Sequence, residues 1–375
     1  MYRQLFTSIA DNYQTPKPFI VLILGLRQTG KSTLAKSVCQ QFGHHQFFNF
    51  DLPSDQEEFT SQNRHSLDNF ASRYQKHLIL VDEIQKLPES TNTIKHLYDN
   101  YHLNFIITGS SEYKIKQHLG DTLAGRVKTY HLYPLSLSEI LTQKQAIKTT
   151  ETPSYDQSQI EIQKYLTHGS LPTIQNILPQ DYSSFLNSFT QDLLSKDILE
   201  ISQIRKSTKI YSLAKLLAMQ IGQLVNVNEL SILTEINRTN IYNYLDLLEQ
   251  LNLIKRAYPL STNQRQAISS KFKVYFTDLG IRNSLINNFS PLNTRLDSGL
   301  LLENAIYVGL CRQLEYQNTP HQIGFFRSKN GSEIDIVVKK NNQEFLYEVK
   351  YHPRYLNKTG NVTYITPQNA YQFLI

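Results

Sequence analysis

The chain has 375 residues, 40% of them hydrophobic and 19% charged, so it can bury more than one sizeable core and its length favours two or three domains. The formal net charge of +6 permits an anionic partner such as nucleic acid, but the excess is spread thinly along the chain. The two cysteines, Cys39 and Cys311, lie far apart in apolar contexts, which argues against a disulfide framework and against a cysteine-based zinc site.

No targeting or membrane signal is evident. The N-terminus lacks the basic-then-apolar layout of a signal peptide, and the most apolar stretch, Phe19 to Leu24, is too short to span a bilayer. We therefore expect a cytoplasmic protein without a membrane partner.

Short apolar runs alternate with helical patterns over residues 1–145, the runs being FIVLIL, FFNF, LILV, NFIIT and VKTYHL. Such alternation predicts an α/β domain with helices on both faces of a mostly parallel sheet. The continuous apolar runs FIVLIL and LILV are typical of strands buried on both faces.

Three further segments are predicted after a polar, Pro-containing connection at residues 143–159. Residues 146–205 are expected to form a helical connector or lid, residues 206–285 a winged helix-turn-helix, and residues 286–375 a small α/β domain.

The segment after the first apolar run fits the pattern G-x-x-x-x-G-K-[ST] and lies between a predicted strand and a predicted helix. Its glycines let successive backbone N–H groups face phosphates at a helix N-terminus, while Lys31 bridges the β- and γ-phosphates and Ser32 ligates Mg²⁺. The alternative is a glycine turn that merely joins strand to helix. The predicted ATP-binding residues are Gly25, Leu26, Arg27, Gln28, Thr29, Gly30, Lys31, Ser32 and Thr33.

Two acids follow the buried run LILV, which places both carboxylates at the carboxyl edge of the sheet. We predict that Asp82 holds Mg²⁺ and that Glu83 deprotonates the attacking water, so that the site hydrolyses ATP rather than transferring its phosphoryl group to a substrate. A solvated acidic turn after a strand is the alternative.

Two further side chains are candidates for sensing the γ-phosphate. Ser110 follows the run NFIIT, although a serine here is equally consistent with an N-cap of the next helix. Arg126 precedes the last predicted strand of the domain and is expected to stabilise phosphoryl charge in a neighbouring subunit of a homo-oligomer, with a surface ion pair as the alternative.

The motifs GLRQTGKST, LILVDEIQKLP, ITGSS and LAGR, in this order, resemble a large prokaryotic family of AAA-type P-loop ATPases. The resemblance covers essentially the whole chain and implies a C-terminal domain of unknown function, with a winged-helix segment and a restriction-endonuclease-like terminal region. It assigns the phosphate, metal, base and sensor roles to the residues named above. Two departures are Leu26, where a proline is common, and HGSLP at residues 168–172, which replaces a double glycine before the proline.

The segments VNVNELSILTEI and NRTNIYNYLDLLEQLNLIKRAYPL predict helix, turn, helix and strand, with Asn228 and either Asn237 or Thr239 as N-caps. A winged helix of this kind can bind DNA, or it can be a protein-interaction module or an ATPase lid. For the DNA alternative, Lys255 and Arg256 are expected to clamp the backbone. The second helix is expected to expose Arg238, Thr239, Asn240, Tyr242 and Asn243 to a major groove.

Near the C-terminus, Asp335 lies on one predicted strand and Glu348 and Lys350 share a face of the next. This layout resembles the PD-(D/E)xK nuclease core, in which carboxylates bind Mg²⁺, with Glu303 on the preceding helix as an additional acid. Ile334 replaces the proline of that pattern. An edge hairpin with solvated charges is the alternative.

The sequence therefore predicts an ATP- and Mg²⁺-dependent ATPase coupled to a winged-helix and nuclease-like region that acts on DNA. The alternatives are a nucleotide-dependent switch that binds a protein partner and cuts nothing, and a small-molecule kinase, which Glu83 beside Asp82 disfavours.

Overall fold

The computed structural model describes residues 2–60, 63–110, 123–144, 154–197, 207–260, 271–328, 332–352 and 361–375. The chain divides into two compact units, Met1–Tyr133 and Pro134–Ile375. Each unit is described by itself.

The first unit contains the parallel sheet that the apolar runs predict. Its strands are β1 (Ile20–Leu24), β2 (His45–Asn49), β3 (Leu78–Asp82), β4 (Asn104–Gly109) and β5 (Val127–His131). The strand order is β2-β3-β4-β1-β5, and every neighbouring pair is parallel. Because parallel strands share one carboxyl edge, the segments that follow β1, β3 and β4 lie side by side.

The helices of this unit are α1 (Leu5–Asn12), α2 (Lys31–Gln41), α3 (Pro53–Thr60), α4 (Arg64–Tyr74) and α5 (Ser90–Tyr101). One face of the sheet packs on an aromatic cluster in which the rings of Phe59 and Phe70 lie 5.4 Å apart and those of Phe70 and Tyr74 lie 4.7 Å apart. Helix α2 packs against β3 and β4. Every residue of β1 and β3 is buried, as their continuous apolar runs predict.

The second unit begins with a helical part. Its helices are α6 (Leu137–Gln143), α7 (Tyr155–His168), α8 (Tyr182–Asp192), α9 (Ser207–Met219), α10 (Val227–Thr234), α11 (Arg238–Gln250) and α12 (Leu279–Leu285). A short antiparallel pair, β6 (Ile254–Ala257) with β7 (Lys273–Phe276), follows α11.

The N-caps of the two central helices were only partly predicted. Asn237 caps α11 by accepting a hydrogen bond from the backbone N–H of Asn240, as expected. For α10 the predicted cap, Asn228, is wrong, because Asn226 accepts from the backbone N–H groups of Asn228 and Glu229. Asn226 has the extended backbone that an N-cap needs, whereas Asn228 already lies inside the helix.

A four-stranded sheet and two helices complete the second unit. The elements are α13 (Ser298–Tyr316), β8 (His321–Arg327), β9 (Glu333–Lys340), β10 (Gln343–Val349), β11 (Val362–Ile365) and α14 (Tyr371–Leu374). The strand order is β11-β10-β9-β8, with β8–β9 and β9–β10 antiparallel and β10–β11 parallel. Asn341 and Asn342, both with positive φ, form the tight turn that fixes the β9–β10 register.

Within the described residues, no helix combines the length and apolarity that crossing a bilayer requires.

Candidate functional site

The loop between β1 and α2 has the backbone that its glycines predict. Gly25 has a φ of +156°, and a Cβ at this position would lie 2.3 Å from the carbonyl oxygen of Leu132, so no larger residue fits without a backbone shift. Gly30 has a φ of +91° and caps α2 with no side chain. The loop therefore leaves the first N–H groups of α2 open at the carboxyl edge of the sheet.

The Lys31 ammonium is folded over this loop. Lys31 is buried, and its Nζ donates to the carbonyl oxygens of Gly25 at 3.1 Å and of Leu26 at 3.0 Å. From the segment before α1, the buried Arg3 donates to the carbonyl oxygens of Thr29 and Tyr133, and these bonds hold the loop in place. A buried cation thus lies against the concave side of the loop, where an anionic ligand would replace the carbonyls as its partner.

Ser32 and Asp82 lie next to each other, as the predicted metal site requires. The Ser32 hydroxyl donates to Asp82 Oδ1 at 2.9 Å, and the buried Thr108 hydroxyl donates to the same oxygen. Thr108 is the last side chain of β4 before Gly109, so the middle strand of the three orients the carboxylate of its neighbour. One oxygen of Asp82 is fixed by two hydroxyls.

Glu83 lies directly after β3 in the left-handed region, with a φ of +57°, and the short 3₁₀ turn Ile84–Lys86 follows. The Gln85 side-chain amide donates to Glu83 Oε2 and also to the Ser110 hydroxyl, at 3.0 Å. Burial raises the pKa of Glu83, and the Lys31 cation opposes this rise. Glu83 and Ser110 are thereby joined through one amide. The alternative N-cap role of Ser110 concerns a segment outside the described residues.

Arg126 lies at the other end of the sheet. Its carbonyl oxygen accepts from the N–H of Ile20, the first residue of β1, whereas the phosphate loop follows the last residue of that strand. About 13 Å of strand therefore separates the two positions. The Arg126 guanidinium forms an ion pair with Asp99 at 2.7 Å. The structure thus does not bring Arg126 together with the other predicted site residues of its own chain.

The donor set at the carboxyl edge fits ATP with Mg²⁺. A hydroxyl and a carboxylate, from Ser32 and Asp82, are the oxygen ligands that Mg²⁺ takes when phosphates complete its shell. The Lys31 ammonium and the open N–H groups of α2 fit the phosphates. Arg27, Gln28 and Thr33 are exposed on this loop and helix, Thr29 is buried, and Gln28 has a positive φ of 62°.

A family model described as an AAA domain matches residues 17–141. Residues 17–141 form an AAA domain. Two models described as domains of unknown function, DUF8612 and DUF4143, match residues 159–292 and 298–363. The predicted resemblance to an AAA-type ATPase with a C-terminal domain of unknown function is confirmed.

Two relatives and one solved structure are similar to this chain. An uncharacterized protein of Haemophilus influenzae is 24% identical over 92% of this chain and 86% of its own length. An uncharacterized protein of Methanocaldococcus jannaschii is 22% identical over 93% of this chain and 77% of its own. A Walker-type ATPase of Pyrococcus abyssi has a TM-score of 0.51 at 14% identity, covering 76% of this chain and 95% of that one. This likeness shows the fold alone, which is that of a P-loop NTPase.

Outside the AAA domain, the predicted acidic cluster of the second unit contains an unpredicted lysine. Lys273, on β7, is buried and forms ion pairs with Glu303 at 3.1 Å and Glu333 at 2.7 Å, while the Tyr275 hydroxyl donates to Glu303 at 2.7 Å. Burial raises the pKa of Glu303 to about 7, the Lys273 cation lowers it, and the charge of Asp335 raises it further. Glu303 is thus held by an ammonium and a hydroxyl.

The three residues of the Asp and Glu-x-Lys pattern lie together as predicted. The Lys350 ammonium lies 2.6 Å from Glu348 and 3.5 Å from Asp335, and Asp335 Oδ2 also accepts from the backbone N–H of Val349 at 2.8 Å. Burial raises the pKa of Glu348, and Lys350 opposes this. In the described part of the chain, no three His, Cys, Asp or Glu side chains are grouped so that they could hold a metal ion.

The cations predicted to clamp a DNA backbone are engaged elsewhere. Arg256 pairs with Asp246 and Glu249, both at 2.6 Å, and Lys255 pairs with Glu315 of α13 at 2.9 Å. The predicted contact of Lys255 and Arg256 with a DNA backbone stays a prediction, because acids on α11 and α13 hold both side chains in this structure. The five predicted groove residues of α11 are exposed, namely Arg238, Thr239, Asn240, Tyr242 and Asn243.

Thr108, Gln85, Arg3 and Lys273 are among the side chains of these sites that were not predicted. Thr108 and Gln85 lie within the quoted motifs ITGSS and DEIQ, and their polar character beside apolar neighbours was the available signal. Arg3 and Lys273 carried no such signal, since each reaches its partners across more than 20 residues of sequence.

Proposed function

We propose that the AAA domain binds ATP with Mg²⁺ and hydrolyses it. The observation that carries this proposal is the convergence of the Lys31 ammonium, the Ser32–Asp82 pair and the buried Glu83 carboxylate at one edge of the sheet. Glu83 acts as the general base, because a raised pKa makes its carboxylate a stronger proton acceptor for the attacking water. Without that second acid a site of this kind would bind nucleotide but lack a group to activate water.

Five side chains at this edge of the sheet have defined parts in the proposed reaction. Phosphate oxygens replace the carbonyls of Gly25 and Leu26 as partners of Lys31, so the ammonium is presented to the β- and γ-phosphates. Ser32 and Asp82 hold Mg²⁺, which when bound offsets the charge on the phosphoryl oxygens. Thr108 keeps Asp82 in position through its hydroxyl. Ser110 contacts the γ-phosphate or the attacking water.

Nucleotide binding by purified protein tests the phosphate role of Lys31. We expect Lys31→Ala to weaken binding of Mg²⁺–ATP at least about tenfold, since a charge-assisted hydrogen bond contributes about 1.5–3 kcal/mol. Lys36→Ala, at an exposed position of the same helix, is the matched control and is expected to bind ATP like the wild type. Equal affinity of the two variants would contradict the proposal.

We further propose that the nucleotide state controls the second unit. Helices α9 to α11 with the β6–β7 pair support a winged helix, and α13 with β8 to β11 supports a nuclease-like domain that carries Asp335 and Glu348 on adjacent strands. Contacts to the γ-phosphate exist only before hydrolysis, so they can bias a conformational equilibrium. In one version, α11 and the nuclease-like domain act on DNA.

Specific ion pairs favour the other version, a nucleotide-dependent switch that binds a protein partner and has no nuclease activity. Lys273 forms ion pairs with Glu303 and Glu333, and Lys350 forms ion pairs with Asp335 and Glu348, so ammonium groups lie where divalent cations bind in a metallonuclease. Lys255 and Arg256 are likewise engaged within the chain.

Two assays separate these versions. Incubation of the protein with supercoiled plasmid and with RNA, in Mg²⁺ or Mn²⁺ and with ATP, is expected to leave both substrates intact. ATP turnover is expected to be unchanged by single-stranded DNA, duplex DNA or RNA. Nicking that is lost in Asp335→Asn, or stimulation of turnover by a nucleic acid, would instead establish the DNA-directed version.

A further inference from the structure

Gln85 contacts two side chains of the proposed reaction, Glu83 and Ser110, but has no part in that reaction as described so far. It is buried on the 3₁₀ turn that follows Glu83, where a long polar side chain has a desolvation cost unless it is hydrogen-bonded. Its Nε2 atom donates to Glu83 Oε2 and to Ser110 Oγ. A glutamine amide has two N–H donors, and both are used on proposed catalytic groups.

The orientation of the amide follows from its partners. If the amide were flipped, its carbonyl oxygen would face the Glu83 carboxylate, and two acceptors would repel each other. In the described structure Oε1 is buried and accepts no hydrogen bond. A buried acceptor without a partner is unfavourable, so the arrangement retains the contacts of Nε2 at the expense of Oε1.

These contacts divide the functions of the Glu83 carboxylate between its two oxygens. Oε2 is held by Gln85, which leaves Oε1 to accept a proton from water. Because the Ser110 oxygen accepts from Gln85, the Ser110 hydroxyl proton points away from the amide and is available to a phosphate oxygen. Glu83 also has a left-handed backbone, which its surroundings must maintain.

We propose that Gln85 is a positioning residue for ATP hydrolysis, which orients Glu83 by one carboxylate oxygen and couples that orientation to Ser110. The inference rests on the proposed ATPase function of the same site. A shift of Ser110 towards the γ-phosphate moves the amide, and the amide in turn sets the direction of Glu83. The direction of the base thus depends on the position of Ser110.

The test uses Gln85→Met, which keeps the length and removes both hydrogen bonds, in the full-length protein. We expect kcat for ATP to fall about 100-fold, as is typical when a general base loses its alignment, while KM and the affinity for a non-hydrolysable ATP analogue stay within about twofold of wild type. Gln40→Met, at an exposed position of α2, is the matched control. Unchanged kcat, or parallel loss of analogue binding, would overturn the proposal.

A double-mutant cycle with Ser110→Ala tests the coupling. If Ser110 influences Glu83 through Gln85, the loss of kcat in the double variant is smaller than the product of the two single losses by about fivefold or more. Independent, multiplicative losses would overturn the coupling. If Gln85→Met does not fold, as judged by thermal unfolding, Gln85→Ala takes its place in the cycle. Absence of turnover in the wild type would refute the proposed ATPase function itself, which is a different result.

Discussion

Replacement of Lys273 by methionine is expected to destabilise the second unit strongly. The Lys273 ammonium is the cation between two carboxylates, at 3.1 Å from Glu303 and 2.7 Å from Glu333, and its side chain is only 3% exposed. Methionine keeps most of the side-chain volume, so packing around β7 is largely retained. The substitution therefore isolates the loss of positive charge at the acidic cluster.

The magnitude follows from the burial of the partners. Removing one member of a buried ion pair costs about 3–5 kcal/mol, because the other charge is left uncompensated. Glu333 is 28% exposed and is partly hydrated, so most of the cost comes from Glu303, whose side chain is 9% exposed. The pKa of Glu303, already raised to about 7 by burial, rises further without Lys273. Because the folded pKa of Glu303 lies above its unfolded pKa in both proteins, both lose stability as pH rises from about 4.5. This loss ends near pH 7 in the wild type but continues above it in the variant, so the deficit of the variant is smaller at pH 5 than at pH 8.

Urea unfolding of wild type, Lys273→Met and the control Lys271→Met, at pH 5 and pH 8, measures this effect. Lys271 is exposed two residues earlier, so its replacement is expected to change the free energy of unfolding by less than about 0.5 kcal/mol. A loss below about 1 kcal/mol for Lys273→Met at pH 8, or a larger loss at pH 5 than at pH 8, would refute the account of this cluster.

Three other substitutions have defined outcomes. Gly25→Ala is expected to destabilise the first unit by about 1–3 kcal/mol in denaturant unfolding, because the added Cβ would lie 2.3 Å from a backbone oxygen. This loss should exceed that of Gly43→Ala, where an added Cβ has no atom within 4 Å. Burial raises the pKa of Asp278 to about 6 from 3.8, so wild-type stability should fall by about 2 kcal/mol more than that of Asp278→Asn as pH rises from 4 to 6. Parallel pH profiles would contradict this. Turnover per subunit should rise with wild-type protein concentration, and Arg126→Ala should abolish that rise; an unchanged concentration dependence would exclude a role in a neighbouring site.

The sequence was sufficient for the parts of the fold that local patterns determine. Continuous apolar runs such as LILV, each followed by a helical pattern, have few solutions other than buried parallel strands, and the glycine loop then has to lie at their carboxyl edge. The placement of Ser32, Asp82 and Glu83 at this edge therefore followed from their positions directly after such strands or after the glycine loop. The Asp335 and Lys350 contact followed in the same way from alternation along two paired strands.

Contacts between distant segments were not predictable from those patterns. Lys273 and Glu303 belong to a strand and a helix separated by 30 residues, and no periodicity relates them. Lys255 and Arg256 were predicted to contact DNA because the acids that bind them lie on other elements of the structure. The hydrogen bonds from Gln85 to Glu83 and Ser110 could be predicted only from the position of Ser110. That position depends on β3 and β4 being neighbours in the sheet. Which side chains meet across different elements depends on tertiary packing, and local sequence patterns do not show it.

We propose above all that Glu83 makes this site one that hydrolyses ATP. The most direct measurement is release of inorganic phosphate from Mg²⁺–ATP by wild type and by Glu83→Gln, with ATP affinity measured on the same preparations. We expect Glu83→Gln to bind ATP within about threefold of wild type and to lose at least about 100-fold in kcat. Turnover equal to wild type in Glu83→Gln would contradict this proposal.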